Sequence, residues 1–327
     1  MESKVSSEFM PYAERGMIRD PRFFYNREAE LNTIFNRLAT MQSVSVVGER
    51  RLGKSSLLYR ISEFERDRLG SDYTTLYLDM ERVFSSEEFY KRVCVALGNP
   101  QGTSYLDFEE ALANKKVILC LDEFERTTNS SAFDQKFFAV LRSLAQTGQL
   151  ALVVATQHTL AGLHDGIPTS PFQNIFTLLT LGPFSDQAAR ELITAPSQQA
   201  GHPFSEQEIE FALEQAGTHP YRLNLICSLI YDAKRHGTVS FPDIKRQYEA
   251  QVTYGQPAQS PQTPSPNRES AEQPDVSGQT NNTTQVITHE AERPTIMYTV
   301  SMLVVFGLAI GWFSIQESSS LGIFRAC

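Results

Sequence analysis

The run Gly48-Glu49-Arg50-Arg51-Leu52-Gly53-Lys54-Ser55 has the residue types and spacing of a loop built to hold a phosphate chain. Its two glycines let the backbone curl until several N–H groups point inward at phosphate oxygens. A helix beginning near Lys54 adds its positive N-terminal end. At this spacing the Lys54 ammonium reaches the β- and γ-phosphates, and the Ser55 hydroxyl completes the shell of a Mg²⁺ ion. Ser43–Val47 before the loop reads as an apolar strand and Ser56-Leu57-Leu58 after it as a helix, which is the context this motif requires. A nucleoside triphosphate with Mg²⁺ is therefore the expected ligand.

A second site element follows. Lys116-Val117-Ile118-Leu119-Cys120-Leu121 is an apolar strand run that ends in Asp122-Glu123. Asp122 is expected to hold Mg²⁺ through its water shell, and Glu123 to orient and deprotonate an attacking water. Strand Leu150–Ala155 ends in Thr156-Gln157-His158, where a polar sensor of the γ-phosphate or the water belongs. Thr156 and Gln157 are the candidates. A polar loop start accounts for the same residues from position alone, and His158 reads as an ordinary exposed loop residue.

Around these residues, apolar strand runs alternate with amphipathic helices, the pattern of an α/β domain with a mainly parallel sheet. Strands are expected at 43–47, 74–80, 117–121, 150–155 and 175–181, and helices at 54–67, 86–97, 106–114, 132–146 and 186–194. The continuous apolar run 117–121 is typical of a central strand covered on both faces. One strand between the two acid-and-phosphate elements, with a glutamate after the aspartate, marks the branch of P-loop NTPases with strand order 5-1-4-3-2. The fold class is thus a three-layer α/β/α P-loop NTPase domain. From Phe204 the pattern turns helical: a capping box, Ser205 with Glu208, starts a helix at 206–215, and others follow at 220–235 and 242–252, the last with Ser240 as N-cap. This reads as a small lid.

The expected organisation is an N-terminal extension (1–20), the P-loop core (21–200), the helical lid (201–252), a linker (253–294), a transmembrane helix (295–315) and a short tail (316–327). The linker is rich in Gln, Pro, Ser, Thr and Asn, with too little apolar surface to offset its ordering entropy, and so is expected to be disordered. Its Asn281 and Asn282 lie in N-x-Thr sequons that matter only outside the cytosol. Ile296–Ile315 carries no charge over about 20 residues, enough to cross a bilayer core, with Tyr298 and Trp312 near its ends. The chain is expected to be a tail-anchored, single-pass membrane protein with its ATPase domain in the cytoplasm.

Composition narrows the function further. A formal net charge of −9 argues against a protein that lives by gripping nucleic-acid phosphates. The 4 cysteines, Cys94, Cys120, Cys227 and Cys327, form no CxxC pair and lie near no histidine pattern, against both zinc and a disulfide framework. No apolar h-region occupies the N-terminus, so no signal peptide is expected.

With these residues placed, the chain from about Phe24 to Asp232 resembles the STAND-like and archaeal-type ATPases of the AAA+ class. Phe24-Tyr25-Asn26-Arg27-Glu28-Ala29-Glu30-Leu31 is similar to that group's F-x-G-R-E-x-E-L motif, which packs near the adenine, with Asn26 in place of the usual glycine. Gly48 to Leu58 is similar to its G-x-R-R-x-G-K-[ST]-S-L-L form, and Asp122-Glu123-Phe124-Glu125 to its extended Walker B. Gly217-Thr218-His219-Pro220-Tyr221 resembles the lid element whose proline closes over the nucleotide. The resemblance implies ATP rather than GTP, nucleotide contacts from Asn26, Arg27, Glu49, Arg50, Arg51, Leu52, Ser56 and Pro220, and a nucleotide-dependent switch. Arg222 stands near a sensor-2 position, no arginine finger stands out, and Arg142 reads as solvated.

Three functions fit. The leading one is a membrane-tethered, slow ATPase that acts as a regulatory switch on an unknown protein partner or as a homo-oligomer. A scaffold that holds nucleotide without turnover is the second. An origin-recognition-like ATPase is the third, and it lacks the basic DNA-binding module that such a role needs after the lid.

Overall fold

The computed structural model describes residues 10–12, 16–64, 68–162 and 171–254. Five strands, β1 (Ser43–Val47), β2 (Tyr73–Asp79), β3 (Lys116–Asp122), β4 (Leu150–Thr156) and β5 (Phe176–Thr180), form one parallel sheet in the order β2-β3-β4-β1-β5. That is the expected 5-1-4-3-2 order. β1, β3 and β4 are buried almost throughout, whereas β2 and β5, at the two edges, are half-buried or exposed. The near-continuous apolar sequences of β3 and β4 follow from having both faces covered.

The period-2 alternation of each strand divides its side chains between two layers. Ile118, Cys120, Val153, Ala155, Val44 and Val46 pack with Leu31, Ile34 and Leu38 of α1 (Glu28–Leu38) and with Leu57, Leu58 and Ile61 of α2 (Lys54–Glu63). Val117, Leu119, Leu121, Leu150, Leu152 and Val154 face the other layer. There they meet Phe89 and Val93 of α3 (Ser86–Ala96), Phe108 and Leu112 of α4 (Tyr105–Leu112), and Phe137 and Leu141 of α6 (Gln135–Gln146). Asp122 continues the series 118, 120 and so ends β3 on the α2 side of the sheet. A short helix, α5 (Glu125–Thr128), follows it.

Local capping sets several boundaries. The helix expected from 132 starts at Gln135 because the Asp134 side chain accepts the Phe137 N–H. The one expected over 54–67 ends at Glu63, and 65–67 lie outside the described residues. α1 forms where the sequence reading had placed only the Phe24–Leu31 motif.

Four helices, α7 (Asp186–Gln199), α8 (Glu206–Ala216), α9 (Pro220–Arg235) and α10 (Phe241–Tyr254), share a second core. Ser205 and Glu208 form the expected capping box at α8. α7, assigned to the P-loop core, buries Ala189, Leu192 and Ile193 within this helical cluster, so the lid as a packed body begins at α7. Tyr12 also belongs to it: its ring stacks on Phe204, and its hydroxyl donates to the Ile193 carbonyl. All these elements fall within one compact unit, Met1–Gln262. Cys94, Cys120 and Cys227 are free and buried, and burial pushes each thiol above its usual range.

α10 runs through Tyr254, past the expected lid boundary at 252. The remainder of the linker, the sequons, the expected transmembrane helix Ile296–Ile315 and Cys327 lie outside the described residues. Among the described residues, no helix is long and apolar enough to cross a membrane.

Candidate functional site

The phosphate loop is pinned at its start by the strands on either side of β1. Gly48 N donates to the Thr156 carbonyl at 3.2 Å, and Leu181 N donates to the Val47 carbonyl at 2.7 Å. A methyl group on Gly48 would sit 2.6 Å from the Leu181 carbonyl oxygen, so the approach of the chain leaving β5 excludes any side chain there. Gly53 has a different reason to be glycine: its φ of +95° is left-handed, and it turns the loop into α2. Lys54 is the first residue of α2, and its Nζ donates to the carbonyls of Gly48 (2.7 Å) and Glu49 (2.9 Å). An ammonium has three donors, so the loop itself holds this one at its centre with two of them. Burial pulls the Lys54 pKa down, opposed by the carboxylates of Glu123, Glu125 and Asp122.

Those carboxylates come from the end of β3. Asp122 is buried; its Oδ2 accepts the Tyr77 hydroxyl at 2.8 Å, and its Oδ1 accepts the Glu123 N–H at 3.1 Å. Burial, together with Asp122, pushes the Tyr77 phenol well above its usual range. Glu123 adopts φ +49°, an uncommon backbone state for a residue with a side chain, held because Phe124 is fully buried and its N–H donates to the Ala155 carbonyl at 3.0 Å. Burial, then Glu125 and Asp122, raise the Glu123 carboxyl to about 7, against the pull of Lys54.

The two sensor candidates behave differently. Thr156 is buried and its hydroxyl donates to the His158 carbonyl at 2.7 Å, closing its own turn. Gln157 reaches across the site: its Oε1 accepts from Arg50 Nε and its Nε2 donates to Glu125 Oε1, both at 3.2 Å. Ser56, expected among the nucleotide contacts, uses its hydroxyl to accept the Ile18 N–H at 2.9 Å and so fastens Ile18 to α2. In the Phe24–Leu31 motif, Asn26 (φ +60°) and Arg27 (φ +79°) are both left-handed, and asparagine is a residue that tolerates this state where glycine is absent. The Asn26 amide donates to Glu191 at 3.4 Å. Arg27 is 8% exposed, donates to the carbonyls of Leu52 (3.2 Å) and Gly182 (2.7 Å), pairs with Glu30 (2.7 Å) and lies 4.6 Å from the Phe184 ring centre. It clamps the phosphate loop to the chain leaving β5.

These parts surround a cavity of about 610 Å³, within the range of small-molecule sites. Arg50 through Ser56 and Glu123 form one wall, Phe23, Phe24, Tyr25, Arg27 and Phe184 a second, and Leu192, Pro196, Pro220, Tyr221 and Asn224 a third from the lid. Tyr12, Gly16–Ile18 and Glu81 complete it. Gly48, Glu49, Asn26, Asp122, Thr156 and Gln157 are not part of its lining. The lid also grips the loop: the Tyr221 ring centre lies 4.2 Å from the Arg51 guanidinium. Burial, then Arg222, hold His219 below its usual pKa. Arg222 itself is exposed.

Sequence reasoning missed Tyr77, Asn224 and the contacts of Tyr12 and Ile18. The Pro220–Asn224 spacing would have placed both on one helix face. Nothing local marks Tyr77, Tyr12 or Ile18.

The sequence matches two family profiles: Novel STAND NTPase 2 over residues 108–265 and an AAA domain over residues 38–163. It matches no curated protein. Among solved structures it is similar to a Walker-type ATPase of Pyrococcus abyssi, at 17% identity and a TM-score of 0.59, covering 74% of this chain and 76% of that one. It is also similar to the Aeropyrum pernix ORC2 protein in ADPNP and ADP complexes, at 17% identity and a TM-score of 0.54, covering 72% of each chain. A third likeness, to Drosophila ORC bound to DNA, has 14% identity and a TM-score of 0.51 and covers 73% of this chain and 71% of that one.

Proposed function

From a chain that is a P-loop NTPase resembling the STAND-like and archaeal-type ATPases of the AAA+ class, we propose a slow ATPase that works as a nucleotide-dependent switch. The observation that carries this reading is a single cavity walled by the phosphate loop, Glu123 and the lid. Lys54 and the loop amides hold the phosphates, the aromatic wall around Tyr25 and Phe184 takes the base, and Glu123 accepts a proton from the attacking water. Ser55 and Asp122 would hold Mg²⁺: a hydroxyl and a carboxylate are hard oxygen donors of the kind it prefers. Among the described residues no group of three His, Cys, Asp or Glu is arranged for a metal, consistent with an ion that completes its shell on phosphate and water. When bound, Mg²⁺ offsets charge that develops on the phosphates.

The switch rests on the grip of α9 on the loop. Nucleotide seated between Lys54 and Pro220 stabilises the closed lid by touching both walls, and a ligand shifts a conformational equilibrium only through such differential contacts. Tyr221→Ala removes the Arg51 stacking, an interaction of about 0.5–2 kcal/mol. The variant is expected to release nucleotide several-fold faster and to lose most of the nucleotide-dependent hydrogen-exchange protection of α9. If nucleotide leaves α9 exchange unchanged in the wild-type protein, the switch reading is wrong.

Ile296–Ile315 supports membrane anchoring, with the ATPase domain on the cytoplasmic side where ATP is available. The full chain is expected to remain with membranes through alkaline carbonate extraction. Val304→Lys with Leu308→Lys, at about 2.5–3.5 kcal/mol per lysine at the bilayer centre, is expected to release it. Extraction of the wild-type chain would remove the anchor from the proposal. The partner that reads the switch is a protein or a second copy of the chain.

A further inference from the structure

Asp122, one of the two Mg²⁺ ligands in the functional reading above, is buried and cannot orient itself. Its Oδ1 is held by its own neighbour, the Glu123 N–H at 3.1 Å, a contact that follows Asp122 wherever β3 places it. Its Oδ2 is held from another strand: Tyr77 of β2 donates its hydroxyl at 2.8 Å. Tyr77 pairs with Cys120 in the parallel register, and Asp122 lies two residues on, on the same face of β3.

Tyr77 is in turn fixed to the helix that carries the other ligand. Its ring meets the Tyr59 ring edge-on, with centroids 5.7 Å apart at 83°. Tyr59 lies four residues after Ser55 on α2, one turn along the same side of the helix. The Thr75 hydroxyl of β2 donates to the Ser62 carbonyl of α2 at 2.9 Å, a second attachment of that strand to the same helix. A rigid path therefore runs from Ser55 through Tyr59 and Tyr77 to Asp122.

We propose that Tyr77 is a positioning residue that sets the Asp122 carboxylate relative to Ser55 for divalent-cation binding. It touches neither substrate nor reacting atoms and acts through Asp122 alone. The hydroxyl is the working group, because the ring is needed only to reach Tyr59. Loss of a partner that orients a metal ligand typically costs 10–100-fold in metal affinity.

The test is Tyr77→Phe in the full chain, with binding of a non-hydrolysable ATP analogue titrated against Mg²⁺ and repeated in EDTA. The expected result is a Mg²⁺ midpoint raised about tenfold or more, with EDTA affinity and melting temperature close to wild type. Thr75→Val removes a hydroxyl of the same strand that does not contact Asp122 and should leave the midpoint near wild type; a rise there as large as in Tyr77→Phe overturns the proposal. A wild-type midpoint in Tyr77→Phe, or an equal loss of affinity with Mg²⁺ and in EDTA, overturns the proposal. If Tyr77→Phe does not fold, Tyr59→Leu keeps the phenol and removes its support, and an unchanged midpoint there overturns it equally. Failure of the wild-type chain to bind nucleotide in either condition would instead sink the functional reading on which this rests.

Discussion

Lys54→Ala is expected to weaken nucleotide binding by about a hundredfold or more while the protein stays folded. The ammonium supplies charge-assisted hydrogen bonds of about 1.5–3 kcal/mol each to phosphate oxygens, and about 1.4 kcal/mol is a factor of ten. It has a second task in this structure, since Nζ bridges the Gly48 and Glu49 carbonyls and so holds the loop curled around its own centre. Alanine removes both contributions. The rest of the loop has independent supports: Arg27 holds the Leu52 carbonyl, and the flanking strands hold Gly48 and the chain after β5. The melting temperature without nucleotide should therefore change little. Calorimetric titration with ATP and Mg²⁺ measures the effect. Full affinity in Lys54→Ala would remove the phosphate loop from the site.

Glu123→Gln should separate binding from turnover. Glutamine is nearly isosteric but cannot accept the proton of an attacking water, and loss of a positioned general base costs about 10²–10⁴ in rate. Nucleotide affinity should hold or rise, because one of the three carboxylates acting on Lys54 loses its charge. The backbone is the reason to choose an isosteric change: Glu123 sits at φ +49°, a state kept by buried Phe124 rather than by its own side chain. Single-turnover hydrolysis of radiolabelled ATP gives the rate, and filter binding gives the affinity. Equal turnover in variant and wild type would take Glu123 out of the chemistry. Tight binding without measurable turnover in the wild type would favour the scaffold reading.

The sheet was legible because its information is local. Strands β1, β3 and β4 are apolar runs bounded by polar loops, and their alternation with amphipathic helices admits few topologies. The two ligand-bearing elements were legible for the same reason: Gly48, Gly53, Lys54 and Ser55 are close in the chain, and Asp122 with Glu123 caps one strand. What remained hidden depends on pairs distant in sequence. Helix α7 reads equally well as part of the core until Ala189, Leu192 and Ile193 are seen packing in the lid. Ser56 reads as a nucleotide contact alone until its hydroxyl is seen to meet Ile18 as well. Between Thr156 and Gln157, position gave no choice; the hydrogen bonds of Gln157 to Arg50 and Glu125 set it apart as the residue that spans the site.

By itself, then, the amino-acid sequence determined the phosphate loop, the acidic strand end and the existence of a helical lid, because periodicity and short motifs act over a few residues; the strand order followed from the P-loop branch those motifs mark. Tertiary structure alone decided that Tyr77 holds Asp122, that Arg51 stacks on Tyr221, that Tyr12 packs within the lid and that Ile18 meets the phosphate-loop helix. Hydrogen bonds and ring contacts operate over about 3–6 Å, and no spacing along the chain records which distant residues folding will bring within that reach.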